Sequence, residues 1–326
     1  MKIIALEEEF VTEDLMQRMR GGETDFRYTL ETSSLVTGED LGKTFVDLGE
    51  DRIAAMDAAG IDVQVLSFCA PQVEDPARSV QLMREGNDRA AAAMQRYPSR
   101  YRAFASLPLA DPAAAVAEFD RALHIPGFVG GFVAGSINGE FLDHDKYSPV
   151  LEYAESLNAP IYLHPYFPLP GLMDSYFKGR AELGGPEWGF MIDASCHFMR
   201  LVTSGTFDRF PRLRIILGHL GESIPYNLDR ICNRLLAYAK AKPLRKPVED
   251  YFRENLAVTT SGNFSVPSLL CAINTLGIEN VMFSVDWPNE SNKVAVDFLK
   301  HLPVARLDLE KIAHKNAERL LRLEVP

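Results

Sequence analysis

The sequence predicts an α/β fold of the closed (β/α)8 type, a TIM barrel, built by residues 1–326 as a single domain. Short runs rich in Val, Ile and Phe recur eight times, and segments of helical periodicity separate them. No GxGxxG follows the first run, as an open dinucleotide-binding sheet would require. Near-continuous hydrophobicity within the runs suits parallel strands covered on both faces, and eightfold alternation with helices favours closure.

The predicted strands are Ile3–Glu8, Val63–Phe68, Tyr101–Leu107, Val129–Val133, Pro160–His164, Leu213–Gly218, Leu256–Thr260 and Val281–Val285. Between them, Asp51-Arg52-Ile53-Ala54-Ala55-Met56-Asp57 is amphipathic and stops at Gly60. Asp111-Pro112 supplies a helix N-cap followed by proline in the first turn. Helices are also expected from near Ser223 and Pro247, and Asp308 to Leu321 reads as one closing helix. The connection Pro165 to Gly185 is long, with three prolines and five aromatic or methionine residues. Such a loop at a strand C-terminus suits a lid over a site, subunit contact being the plainer alternative.

With 47% of 326 residues hydrophobic, the chain can bury one large core, and no polar or Gly/Ser tract marks a linker. A net charge of −11 and a pI of about 5.2 disfavour nucleic acid and anionic membranes as partners. The richest basic stretch, Lys240 to Lys246, holds four basic residues. Four cysteines without CxxC spacing, no signal-like N-terminus and no long apolar run make a cytoplasmic setting the expectation. Cys196 and Cys271, in helix-like apolar surroundings, are expected to be inert core thiols.

Ionisable groups gather at strand C-terminal ends. Glu7 and Glu9 should point to one side of the first strand and Glu8 to the other. Strand five ends in His164, strand six runs into His219, and strand eight into Asp286. In a barrel these five groups converge on one rim, and carboxylates with imidazole suit Zn²⁺, Mn²⁺ or Fe²⁺. An acidic pair inside a barrel is hard to tolerate without a cation. Taken singly, each has a plainer role: Glu7 and Glu9 as solvated strand-end charges, His164 as a hydrogen-bonded core histidine, Asp286 as a turn or helix cap, His219 as a loop cap. The coincidence of five such groups at the same ends of four strands favours the shared site.

The chain resembles the aminocarboxymuconate-semialdehyde decarboxylase-like branch of the amidohydrolase superfamily (amidohydrolase family two). Within it, the chain is most similar to decarboxylases of gamma-resorcylate, dihydroxybenzoate, salicylate and carboxyvanillate. The resemblance rests on Ala5-Leu6-Glu7-Glu8-Glu9-Phe10, the Asp51–Asp57 run, Tyr162-Leu163-His164-Pro165 and Phe207-Asp208-Arg209-Phe210-Pro211. Its most specific motifs are Leu217-Gly218-His219-Leu220-Gly221-Glu222 and Phe283-Ser284-Val285-Asp286-Trp287-Pro288. It implies that Glu7, His164 and Asp286 stand at metal-ligand positions, and that His219 pairs with Glu222 to handle protons. Arg230 matches an arginine that in relatives reaches the substrate carboxylate, a surface ion pair being the alternative. The chain departs from the family at Glu9, where many members carry histidine and several decarboxylases alanine. Trp287 stands where relatives often have tyrosine, at the expected pocket wall.

The resemblance implies one divalent ion per chain, Mn²⁺ or Zn²⁺, a small aromatic acid as substrate, and a homodimer or homotetramer. The chemistry expected is non-oxidative decarboxylation: Asp286 protonates the ring carbon, His219 and Glu222 relay the proton, and CO₂ leaves as aromaticity returns. Glu9 stands as a further candidate ligand. The alternative is metal-dependent hydrolysis of a lactone, amide or ring-fission product, which the absence of HxH on strand one disfavours. A non-catalytic binding barrel would bind no metal tightly.

Overall fold

The computed structural model describes residues 1–21, 33, 34, 37, 38, 40–241 and 244–323, so the Lys240–Lys246 stretch lies partly outside the described residues. The eight apolar runs form β1 (Ile4–Phe10), β2 (Val63–Phe68), β3 (Tyr101–Ser106), β4 (Phe128–Ala134), β5 (Ile161–His164), β6 (Ile215–Leu217), β7 (Leu256–Thr259) and β8 (Val281–Met282). They lie in sequential order in one sheet, and each neighbouring pair is parallel. A Leu6–Ser284 bridge, with Leu6 N donating to Phe283 O at 3.3 Å, brings β8 back to β1. With helices in the connections, this is a TIM barrel.

Strand alternation sorts the core into two shells. Leu6, Val65, Phe104, Tyr162, Ile216 and Met282 belong to an inner cluster fed by all eight strands. Ala5, Leu66, Ala105, Leu163, Leu217 and Phe283 pack outward in a larger cluster with the helices.

On β1 the alternation breaks where function needs it. Ile4 and Leu6 face in, so a regular strand would turn Glu7 out and Glu8 in. Instead the register against β2 shifts between Ala5 and Glu8, and Glu7 adopts φ 60°. This bulge reverses the phase, which is what bulges do. Glu7 and Glu9 enter the barrel; Glu8 turns outward, accepting from Gln64 Nε2 (3.0 Å), Ser284 Oγ (3.2 Å) and Val285 N (3.0 Å). Arg52, 2% exposed, braces this strand from behind, its guanidinium donating to Glu9 O (2.8 Å) and Gln64 Oε1 (2.8 Å).

Local signals in the connections hold well. The helix Glu50–Ala59 ends at Gly60, whose φ of 82° only glycine adopts without strain. Asp111 caps Pro112–Leu123 by accepting from Ala113 N and Ala114 N. The expected helices near Ser223 and Pro247 are Ile224–Ala241 and Val248–Asn255.

Three expectations need correction. The closing helix is not uniform: Arg306–Glu310 and Asn316–Leu321 flank a π-helical turn, Lys311–Lys315. There the Ile312 carbonyl accepts from Phe283 N (2.8 Å), the residue just after β8, and so stands outside the ordinary helical ladder. The Pro165–Gly185 connection contains a helix, Pro170–Tyr176, and a 3₁₀ turn, Ala181–Gly184. Cys196 and Cys271 lie on helices but not in the core, since Cys196 is exposed and Cys271 half-buried. An apolar neighbourhood in sequence does not fix which side of a helix faces in. The buried thiol is Cys69, immediately after β2.

Candidate metal centre and active site

Four of the predicted site residues carry left-handed backbones: Glu7 (φ 60°), His219 (51°), Glu222 (59°) and Asp286 (78°). Each such non-glycine residue costs on the order of 1–2 kcal/mol, and strain of this kind gathers at functional sites. All four lie at or beyond a strand's C-terminal end or in the bulge of β1, where the side chains are aimed at the barrel mouth.

Glu7 is clamped. Its Oε2 accepts from Tyr162 OH and Ser261 Oγ, and from Thr259 Oγ1 at 3.5 Å. Tyr162 OH and Thr259 Oγ1 are 2.8 Å apart, and Thr259 Oγ1 and Ser261 Oγ 2.9 Å apart. Gly218 leaves room for the carboxylate, because a Cβ there would lie 2.6 Å from Glu7 Oε2. The other oxygen, Glu7 Oε1, has no hydrogen-bond partner although the residue is fully buried.

Glu9 repeats the pattern. Its Oε2 accepts from Asn289 Nδ2 at 2.6 Å, while its buried Oε1 is without a donor. Both open oxygens face His164, whose Nε2 lies 3.5 Å from Glu7 Oε1 and 3.1 Å from Glu9 Oε1. The opposite ring nitrogen, Nδ1, donates to Pro165 O at 2.7 Å. That bond leaves Nε2 with its lone pair toward two carboxylates unless a cation or a second proton intervenes. Ligand atoms about 2.0–2.3 Å from one tetrahedral ion stand about 3.3–3.8 Å apart, close to the two separations between His164 Nε2 and the carboxylate oxygens. The residues therefore fit a divalent cation.

The electrostatics agree. Burial pushes the His164 imidazolium down, but the Glu9 carboxylate 3.1 Å from Nε2 and the charges of Glu7 and Asp286 more than reverse this, to about 9. Burial raises Glu9, and His164 outweighs it to hold the carboxyl below its ordinary range. The carboxylates thus retain a proton on His164 where no metal replaces it.

Beside this group runs a relay. Glu222 Oε1 lies 2.7 Å from His219 Nδ1, and His219 Nε2 lies 3.6 Å from Asp286 Oδ2. Burial raises the Asp286 carboxyl to about 7; the charges of Glu9 and Glu7 add to this, while His219 opposes it. Asn289 ties the two halves together, donating to Glu9 Oε2 and reaching Asp286 Oδ1 at 3.4 Å.

Glu7, Glu9 and His164 thus meet, and Asp286, His219 and Glu222 adjoin them. Arg230 does not join them within one chain: it is exposed on the helix Ile224–Ala241. Trp287 is 7% exposed, gives its carbonyl to Glu9 N (2.6 Å), and lines a cavity with Asp47, Asp51 and Arg52 behind β1.

Several site residues escaped the sequence. The clamp of Tyr162, Thr259 and Ser261 was missed, although Tyr162 stands two residues before His164 and so shares its face. Asn289 gave no signal, and Gly218 entered only as part of the Leu217–Glu222 motif. Asp193, 9% exposed, accepts from Tyr166 N at 3.0 Å; burial raises it to about 7 and it feels the charges of His164 and Glu222. Its only trace was an acid on the apolar face of Gly189–Thr203. At the mouth, Tyr166, Phe167, Leu169 and Met173 from the long connection wall a cavity of about 400 Å³.

The amidohydrolase family model matches residues 45–323. Gamma-resorcylate decarboxylase of Rhizobium radiobacter is 38% identical over 338 residues, covering 98% of both chains. A 2,6-dihydroxybenzoate decarboxylase complexed with 2,6-dihydroxybenzoate superimposes with a TM-score of 0.88 at 37% identity, over 99% of each chain. The dihydroxybenzoic acid decarboxylase of Polaromonas sp., with bound manganese and the inhibitor 2-nitroresorcinol, gives 0.88 at 36% identity, covering 99% of this chain and 97% of that one. The chain belongs to the amidohydrolase family, and its similarity runs to that family's hydroxybenzoate decarboxylases.

Proposed function

We propose that this chain is a metal-dependent carboxy-lyase that removes CO₂ non-oxidatively from an aromatic acid bearing an ortho hydroxyl. The observation that carries this reading is the buried His164 Nε2 facing two carboxylate oxygens without donors, beside the Glu222–His219–Asp286 relay. Relatives that act on hydroxybenzoates support it, one of them with manganese bound.

Glu7, Glu9, His164 and Asp286 would hold one divalent ion, Mn²⁺ or Zn²⁺. When bound, such an ion supplies Lewis acidity and a template for the carboxylate and the ortho oxygen. Direct loss of CO₂ would leave an aryl carbanion, so the ring carbon must be protonated first. Asp286 would be the proton donor: burial raises its carboxyl to about 7 in the metal-free site, and a bound ion would pull in the opposite direction. The proton moves from Asp286 to the carbon bearing the carboxylate, that carbon's bond to CO₂ breaks, and its electrons restore the ring. His219, held by Glu222, returns a proton to Asp286 from solvent. The connection Pro165–Gly185 serves as a lid that limits water at the mouth, and Trp287 backs the pocket wall.

Arg230 would reach the substrate carboxylate only from a second copy, so a homodimer or homotetramer is part of this reading. No helix among the described residues is long and apolar enough to cross a membrane. The four free cysteines suit a cytoplasmic, reducing setting.

The test is a screen of hydroxybenzoates and carboxyvanillate, with CO₂ release and metal content measured on one sample. CO₂ release without water uptake is expected, and Asp286→Asn should abolish turnover while substrate still binds. An acid formed with water uptake would establish hydrolysis instead, and a full-rate Asp286→Asn enzyme would remove the proposed proton donor.

A further inference from the structure

Cys69 is the one buried thiol, 2% exposed, and the chemistry above leaves it unused. It follows β2 directly, and its N donates to Phe10 O at 3.0 Å, which anchors it beside the acidic end of β1. Its Sγ, a Glu9 carboxylate oxygen and a His164 ring nitrogen all lie within 4.8 Å of one another. Among the described residues these are the three potential ligand atoms that come this close together. A second observation points the same way: the buried Glu7 Oε1 lacks a hydrogen-bond donor and lies 3.5 Å from His164 Nε2, and the buried Glu9 carboxylate, with Oε1 3.1 Å from the same nitrogen, has the Cys69 thiol as a neighbour.

We propose that Cys69 Sγ is itself a ligand of the divalent ion, completing a mixed oxygen, nitrogen and sulfur donor set with Glu9 and His164. The inference rests on the metal centre proposed above and specifies its metal. Thiolate favours Zn²⁺ and Co²⁺, whereas Mn²⁺ favours oxygen. This centre therefore selects Zn²⁺ over Mn²⁺, unlike the manganese-bound relative. Coordination replaces the S–H bond by a sulfur–metal bond and releases the proton to solvent, with no change of oxidation state.

Substituting Co²⁺ into the metal-stripped full-length protein provides a readout independent of turnover. The expected spectrum combines visible bands of protein-bound Co²⁺ with a near-ultraviolet thiolate-to-cobalt charge-transfer band. Cys69→Ser should remove the charge-transfer band and keep the visible bands, whereas Cys196→Ser should keep both. In competition, Cys69→Ser should lose about 10–100-fold in Zn²⁺ affinity while its Mn²⁺ affinity changes by less than about threefold. Visible bands without charge transfer in the parent protein would overturn the thiolate ligand and leave the metal centre standing. Failure of the parent to bind Co²⁺ or Zn²⁺ at all would overturn both. Because the parent spectrum decides alone, a poorly folded variant does not protect the proposal.

Discussion

Replacing Gly218 by alanine tests the metal centre through a single methyl group. Gly218 is not among the glycines with positive φ, so its backbone accepts alanine without conformational cost. The methyl carbon, however, would sit 2.6 Å from Glu7 Oε2, 2.9 Å from Glu7 Oε1 and 3.0 Å from Ser261 Oγ. Ordinary contact needs roughly 3.4 Å or more, so the carboxylate must retreat by about 0.5–0.8 Å. It cannot do so and keep its bonds to Tyr162 and Ser261. Metal sites tolerate ligand displacements of about 0.2 Å, so the retreat should weaken metal binding by about 10–100-fold. Overpacking should also cost about 1–3 kcal/mol of stability. Metal affinity is read by competition with a chromophoric chelator, and stability by denaturant unfolding of the metal-free protein. A Gly218→Ala protein that folds and binds metal as tightly as the parent would refute Glu7 as a ligand.

Two more predictions concern charge. Because the carboxylates raise His164 to about 9, metal binding near neutral pH must displace its proton. Affinity of the metal-free protein should therefore rise at least about tenfold per pH unit from pH 6 to 8, more steeply below about pH 7 where Asp286 also gives up a proton, and flatten as pH passes the His164 value. Isothermal titration in buffers of different ionisation enthalpy counts the released protons, and a pH-independent affinity would contradict the proton-for-metal exchange. Behind the site, Arg52→Met would leave Glu9 O and Gln64 Oε1 without their donor and the buried Glu8 without a nearby cation. A loss of about 2–4 kcal/mol is expected from denaturant unfolding, for two buried acceptors left without a donor; a loss below about 1 kcal/mol would show that this buried network does not brace β1.

The sequence alone determined the barrel. Hydrophobic runs and helical periodicity are local properties, and they placed all eight strands to within a few residues. It also placed Glu7, Glu9, His164, His219 and Asp286 near the C-terminal mouth, because position along a strand follows from counting. Which way each side chain points was decided by tertiary structure. The pattern Ile4-in, Ala5-out, Leu6-in would send Glu7 outside; the bulge that reverses it depends on pairing with β2 and on the bonds from Leu6 to Phe283 and from Glu9 to Trp287. Cys69 stayed unassigned for the same reason, since only the pairing of β1 with β2 brings its sulfur beside Glu9 and His164. Local sequence sets period and therefore element type, but register and phase are set by partners distant in the chain, and the chemistry of this site resides in the phase.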